Sequence, residues 1–395
     1  MNLKLLNVKY SPNVGDGLLV DCLEAHLRNA DGMRATSSVD LAGRTDHGLA
    51  AHHREKMMWV LESVPAVIRP HMARAGLSAK LALGLRSHYR RELAGAEAVV
   101  VGGGNLLSDQ DLNFPMKIVA ALGEVVRLDA RVAIYGCGVA ADWSRTGKKM
   151  LCTALAANPP VVVAVRDEAS KTVWDKLFAY AAGAEASIVR DPGILASTVY
   201  KFDATVSALP RPTVAIGVMS SLAIRYHGFD SLSSDKLAEW YSNLVDEMLE
   251  LGFNVSLFTN GSPEDQRFAD GLWNTLSTHP LLARIQLAVV RVPLDLCRVI
   301  FLADVVVAFR MHALIAAYSY GKPIVALKWD AKVDAFLKSV DLEDAIADAN
   351  TSSPNAVALL LVKMWERGVD QKKVDRVLAE TERDVNRLAV SLQTA

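Results

Sequence analysis

The chain has 395 residues, 51% hydrophobic and 22% charged, with 43 basic side chains against 44 acidic ones. Such a length exceeds one compact core and implies two domains of roughly 100–200 residues, and the balanced charge excludes a whole-molecule field that would gather nucleic acid. No apolar run approaches the ~20 residues that span a bilayer, and four scattered cysteines (Cys22, Cys137, Cys152, Cys297) match no metal spacing. They read as reduced thiols of a cytoplasmic protein.

The opening MNLKLLNVKYSPN reads as a strand and not as a signal peptide. Its apolar part, LKLLNV (3–8), leads to the turn NVGDG and then to a helix, LLVDCLEAHLRNA. Residues 56–91 differ, with seven cations (Lys56, Arg69, Arg74, Lys80, Arg86, Arg90, Arg91) against one acid, Glu62. Met57, Met58, Trp59, Val60, Leu61, Leu81 and Leu83 are mixed among them, which predicts a basic helical insertion near 45–92. Next come AEAVVVGGG (96–104), ARVAIYGCG (130–138), VVVAVRD (161–167) and ASIVRDPG (186–193). Near-continuous Val/Ile/Ala runs ending in Gly, Asp or Arg are the pattern of parallel strands covered on both faces.

KFDATVSALPRP (201–212) interrupts this rhythm with two prolines, which predicts a boundary between domains 1–205 and 206–395. A second βα series follows: TVAIGVMSS, the Ser-capped helix SSDKLAEWYSNLVDEMLELG, then FNVSLFTNG, ARIQLAVV, DVVVAF and PIVALKW. Helical periodicity returns over 353–368 and 371–392. The expected architecture is α/β: two doubly wound, Rossmann-like domains facing across a cleft, as in the glycosyltransferase-B fold. In such sheets ligands sit beyond the carboxyl ends of the strands.

Those ends carry the candidate chemistry. Asn13, Gly15 and Asp16 occupy the first turn, and Gly102, Gly103, Gly104 and Asn105 the next, with glycines that let a ligand approach the backbone. VVVAVRD ends on Arg166 and Asp167, whereas the DPG at 191–193 reads as a turn without chemistry. In VVVAFRMHALIAAYSYGKPIVALKWDAK (305–332), a buried run ends on Arg310 and His312 where a helix begins. A helix N-terminus favours anions, a guanidinium forks onto carboxylate or phosphate, and an imidazole can carry a proton near neutrality. With Lys328 and Lys332 nearby, this describes a site for a small, multiply charged anion that must receive a proton.

The ordered set NVGDG (13–17), VVGGGNLLSD (100–109), YGCGVA (135–140), AVRDEAS (164–170), VRDP (189–192), FRMHALIAAYSYGKPIVAL (309–327) and WDAKVDAFL (329–337) resembles the polysaccharide pyruvyl transferases. The resemblance covers nearly the whole chain except the insertion. It implies phosphoenolpyruvate as donor and, as acceptor, a sugar of a cell-surface polysaccharide or of its precursor, commonly a lipid-linked oligosaccharide. It implies donor contacts from Arg310, Lys332 and Arg166, with His312 beside the donor; an imidazole's ordinary pKa of about 6.5 makes His312 the choice for general acid. Asn13, Gly15, Gly103, Gly104 and Asn105 would face the acceptor, and Asp16 would take the proton of the sugar hydroxyl. No step of that chemistry needs a metal or other cofactor, and no nucleic-acid partner is implied. The enzyme would work in the cytoplasm, and residues 56–91 have two readings: a solvated helical insertion packed on the first domain, or a peripheral contact with the inner face of the membrane. The rival expectation is a nucleotide-sugar glycosyltransferase of the same fold, with Glu264 or Asp265 gripping a ribose.

Overall fold

The computed structural model describes residues 1–47, 69–203, 210–226 and 232–394. Met57, Met58, Trp59 and the rest of 48–68 lie outside the described residues. Among the described residues two compact units each carry one six-stranded parallel sheet.

The first unit holds β1 (Asn2–Asn7), β2 (Ala35–Asp40), β3 (Ala98–Gly102), β4 (Arg131–Cys137), β5 (Val162–Val165) and β6 (Ser187–Ile188). They run in the order β2-β1-β3-β4-β5-β6. Consecutive residues of β3, Ala98 to Val101, are all buried, the mark of a strand covered on both faces. One face packs Val99, Val101, Val132 and Ile134 against Ile118, Leu122 and Leu151 of flanking helices. Fully burying a side chain of this kind contributes ~1.5–3 kcal/mol, so the sheet centre dominates stability. The segment 69–92 is helical, as expected, with a five-residue π-helical stretch, Leu81–Leu85, between Arg69–Lys80 and Arg86–Glu92.

The second unit holds β7 (Thr213–Gly217), β8 (Asn254–Phe258), β9 (Ile285–Leu287), β10 (Val305–Ala308), β11 (Ile324–Leu327) and β12 (Ile346–Ala347), in the order β12-β11-β10-β7-β8-β9. Its core joins Val214, Ile216, Val305 and Val307 to Trp240 and Leu244 of the Ser234–Glu250 helix and to Leu361 of the Pro354–Arg367 helix. The Ser cap is present: Ser233 Oγ accepts from Lys236 N at 3.4 Å. Two edge strands, β2 and β12, carried no apolar run to announce them. The first, ATSSVD, satisfies its serines with Lys4 Nζ and Glu24, and the second is two residues long.

The units are not divided at 205/206. One comprises Met1–Ser11, Leu19–Pro192 and Glu380–Ala395, and the other Pro12–Leu18 and Gly193–Ala379. Hydrogen bonds account for the difference. Ser197 N donates to Ser319 Oγ at 2.9 Å, and Tyr320 Oη to Tyr200 O at 2.6 Å, which ties 193–200 into the second unit. Val14 N donates to Asn260 O at 2.8 Å, which does the same for 12–18. In the first unit Arg131 Nη1 donates to Leu392 O at 2.6 Å, while Arg190 pairs with Glu380 at 3.1 Å. The Gln371–Thr394 helix therefore contributes to both. No helix among the described residues is long and apolar enough to cross a membrane.

Candidate active site

In the second unit β7 is central, β8 follows it on one side and β10 on the other. The chain direction of winding reverses between β7 and β10, and the crevice outside the carboxyl ends of such a pair is where open α/β sheets bind ligands. The segments leaving β7, β8, β10 and β11 all emerge along this edge, each followed by a helix N-terminus.

Arg310 closes β10 and caps the Met311–Ser319 helix. Its guanidinium is held from one side by Asp265, which receives Nε at 3.1 Å and Nη2 at 2.5 Å on the same oxygen. Nη2 also reaches Ser262 Oγ at 3.4 Å, and the group lies 5.9 Å over the Trp329 ring. The other Asp265 oxygen accepts from Ser220 N, at the end of β7, at 2.9 Å. Asp265 is fully buried, so of the two residues expected to grip a nucleotide sugar's ribose, Glu264 or Asp265, this one is closed to it. It aims Arg310 instead, and leaves Nη1 without a protein partner among the described residues. Beneath it, burial pushes the Tyr241 hydroxyl pKa up, so the group stays protonated and donates to Gly217 O at 3.2 Å.

His312 is buried, and its Nδ1 lies 3.8 Å from Asp16 Oδ1. The NVGDG turn belongs to the same compact unit, which is why Asp16 can meet His312. Gly15 makes this approach possible. A Cβ there would stand 2.7 Å from His312 Cβ and 2.8 Å from its Nδ1, with Asn260 Nδ2 at 3.1 Å. Asn260, 2% exposed, keeps that Nδ2 without a hydrogen-bond partner among the described residues. Asn13 is turned inward, its Oδ1 accepting from Gly15 N at 3.2 Å, so it shapes the turn. Gly15→Ala is therefore expected to displace the imidazole and lower turnover about 100-fold, the scale of a ~1 Å misplacement. Steady-state kinetics check this, and wild-type turnover would show that the turn yields without moving His312.

Lys332 lies beyond β11. Its Nζ pairs with Asp330 at 2.9 Å, and Asp330 also caps the helix by accepting Lys332 N at 3.0 Å. The ammonium, one-third exposed, is therefore held at the same strand edge as Arg310.

The first unit gathers the other predicted residues. Gly103 and Gly104 take left-handed φ angles of 85° and 66°, conformations that other residues rarely adopt. They turn the chain so that Gly104 O accepts from Gly138 N at 2.8 Å. Arg166 Nη2 and Asn105 Oδ1 both close on the position a Gly138 Cβ would fill, at 2.4 and 2.8 Å. Arg166 is nearly buried, 3.4 Å from Asp167 and 3.8 Å from Asp191. Asp191, of the DPG turn, supplies a countercharge to Arg166. Nearby, burial pushes the Cys137 thiol up to about 12. It is a protonated core group.

Residues 13–331 match the family model described as Polysaccharide pyruvyl transferase. The chain belongs to this family. For this pyruvyl transferase family member the matched segment takes in every predicted site residue except Lys332, which follows it directly. A search of the curated proteins found no match. Among solved structures, the UDP-GlcNAc 2-epimerase of Methanocaldococcus jannaschii superposes with a TM-score of 0.55 at 11% identity, over 99% of this chain and 100% of that one. Anabaena Alr3699/HepE, solved with UDP and glucose, gives 0.52 at 12% identity, with both chains fully covered. These likenesses support the glycosyltransferase-B-like fold.

Asp265, Ser262 and Asn260 were not foreseen as partners of Arg310 and His312. The stretch TNGSPED carried a signal for them. A strand ends, and Ser-Pro-Glu-Asp then opens a helix beside the central strand, the place and polarity of a ligand loop.

Proposed function

We propose that the protein transfers pyruvate from phosphoenolpyruvate to a sugar of a cell-surface polysaccharide or its lipid-linked precursor, forming a cyclic ketal and releasing phosphate. The observation that carries this reading is the His312–Asp16 pair beside the Asp265-aimed Arg310. One group can give a proton and the other take one, next to a cation with a donor edge to spare. Phosphoenolpyruvate needs that combination. Arg310 Nη1, Asn260 Nδ2, Lys332 and the helix N-termini are suited to its carboxylate and phosphate. His312 delivers a proton to the methylene carbon, which becomes a methyl group and leaves the neighbouring carbon electrophilic. A sugar hydroxyl adds there as Asp16 takes its proton. A second hydroxyl then replaces phosphate, which leaves with the remaining proton.

The rival donor, a nucleotide sugar, loses one of its two candidate ribose ligands, because Asp265 is buried against Arg310. Two measurements test the proposal. Calorimetry is expected to show binding of phosphoenolpyruvate and little response to UDP-sugars. Phosphate release from phosphoenolpyruvate is expected to depend on an added sugar from an acceptor panel. Tight UDP-sugar binding with no response to phosphoenolpyruvate would sink it.

A further inference from the structure

The outer face of the first unit carries a different chemistry. An open cavity of about 540 Å³ lies along the Arg145–Ala157 helix, lined by Val119, Arg145, Lys149 and Met150. A second, of about 240 Å³, includes Arg86, Met116, Val119, Ala120, Arg127 and Met150. Val119 and Met150 belong to both, so the two form one continuous groove. Its floor is the half-buried apolar set Met116, Val119, Ala120 and Met150. Its rim is the exposed set Arg86, Arg145 and Lys149, with Arg127 beside them paired to Glu124. The carboxylate among the described lining residues, Glu124, is already engaged by Arg90 and Arg127.

Apolar side chains stand out beside these cations. Leu83, 87% exposed, lies in the π-helical stretch that runs directly into Arg86. Val126, 46% exposed, follows Val119 by seven residues and so shares its face. A positive rim, an apolar floor and isolated protruding Leu and Val side chains match an interface of anionic headgroups over acyl chains. The described lining residues include no aromatic ring on which bases would stack, which disfavours single-stranded nucleic acid.

We propose that this groove face is a peripheral docking surface for an anionic phospholipid membrane. The inference does not depend on the identity of the donor or acceptor. It also revises which cations of the basic insertion matter. Arg90 and Arg91 are occupied by Glu124 and Glu92, whereas Arg86 joins Arg145 and Lys149 from outside the insertion.

The test is co-sedimentation of the whole protein with phosphatidylcholine vesicles, with and without phosphatidylglycerol. The wild type is compared with the triple variant Arg86→Gln, Arg145→Gln, Lys149→Gln. All three side chains are exposed, so folding is retained, and far-UV circular dichroism verifies that. The wild type is expected to favour the anionic vesicles and to release as salt shortens the Debye length from ~10 Å at 0.1 M to ~3 Å at 1 M. The triple variant is expected to partition about tenfold less or lower, given several-fold for each cation near a charged surface. Equal partition of the two proteins, equal partition onto neutral vesicles, or full release by millimolar inorganic phosphate at constant ionic strength would overturn it.

Discussion

Under the proposed function, replacing His312 with glutamine is expected to lower turnover by ~10²–10⁴-fold, the usual worth of general acid catalysis. Donor affinity should stay within a few-fold of wild type, because Arg310 and its Asp265 anchor are untouched. Glutamine fills similar space but cannot release a proton. The imidazole is buried, faces Asp16 at 3.8 Å and meets a glycine at the closest approach, so little else can substitute for it. Single-turnover phosphate release together with donor titration separates the two effects. Wild-type turnover in His312→Gln would remove His312 from the acid role and leave the proton to another group.

The second large effect is expected at a residue that touches no substrate. Asp265→Ala removes the carboxylate that receives two guanidinium nitrogens and the Ser220 amide. Breaking a buried pair from one side costs ~3–5 kcal/mol. The lower end applies because the Arg310 side chain, 13% exposed, keeps some solvent. Denaturant unfolding should therefore show a loss of about 3 kcal/mol. Donor KM should rise more than kcat falls, since the guanidinium is no longer aimed. Asp265→Asn keeps an acceptor for Ser220 N and is expected to recover part of the loss. Unchanged donor KM in Asp265→Ala would mean that Arg310 is aimed by Trp329 and Ser262 alone.

The sequence made part of this visible. Strands such as AVVVG and VVVA are buried on both faces, so their apolar runs are continuous, and each ends on the polar residues that reach the sheet edge. Arg310 and His312 could be read from that contrast. The partners could not. Asp265 and Asn260 lie about fifty residues earlier, in TNGSPED, whose polarity marks a ligand loop but not its partners, and their meeting with Arg310 and Gly15 follows from strand order. Gly15 looked like a corner glycine open to a ligand, yet its missing side chain is filled by His312. The edge strand β2 stayed hidden for another reason: its serines are satisfied by neighbouring side chains, so no apolar alternation was needed.

The discontinuous make-up of the units has a consequence for biosynthesis. Domains generally fold as units during synthesis, N-terminal first, at ~5–20 residues per second. Here the first unit cannot be completed when the chain has emerged as far as Pro192, because Val385, Leu388, Ala389 and Leu392 are buried in it. Arg131 must also wait for the carbonyl of Leu392. Roughly ten to forty seconds of further translation separate the two at those speeds. During that interval the surface that later buries Val385, Leu388, Ala389 and Leu392 stands uncovered. The nascent chain is thus a natural client for a holdase until residues 380–395 arrive, and the two units reach their final state nearly together rather than in sequence.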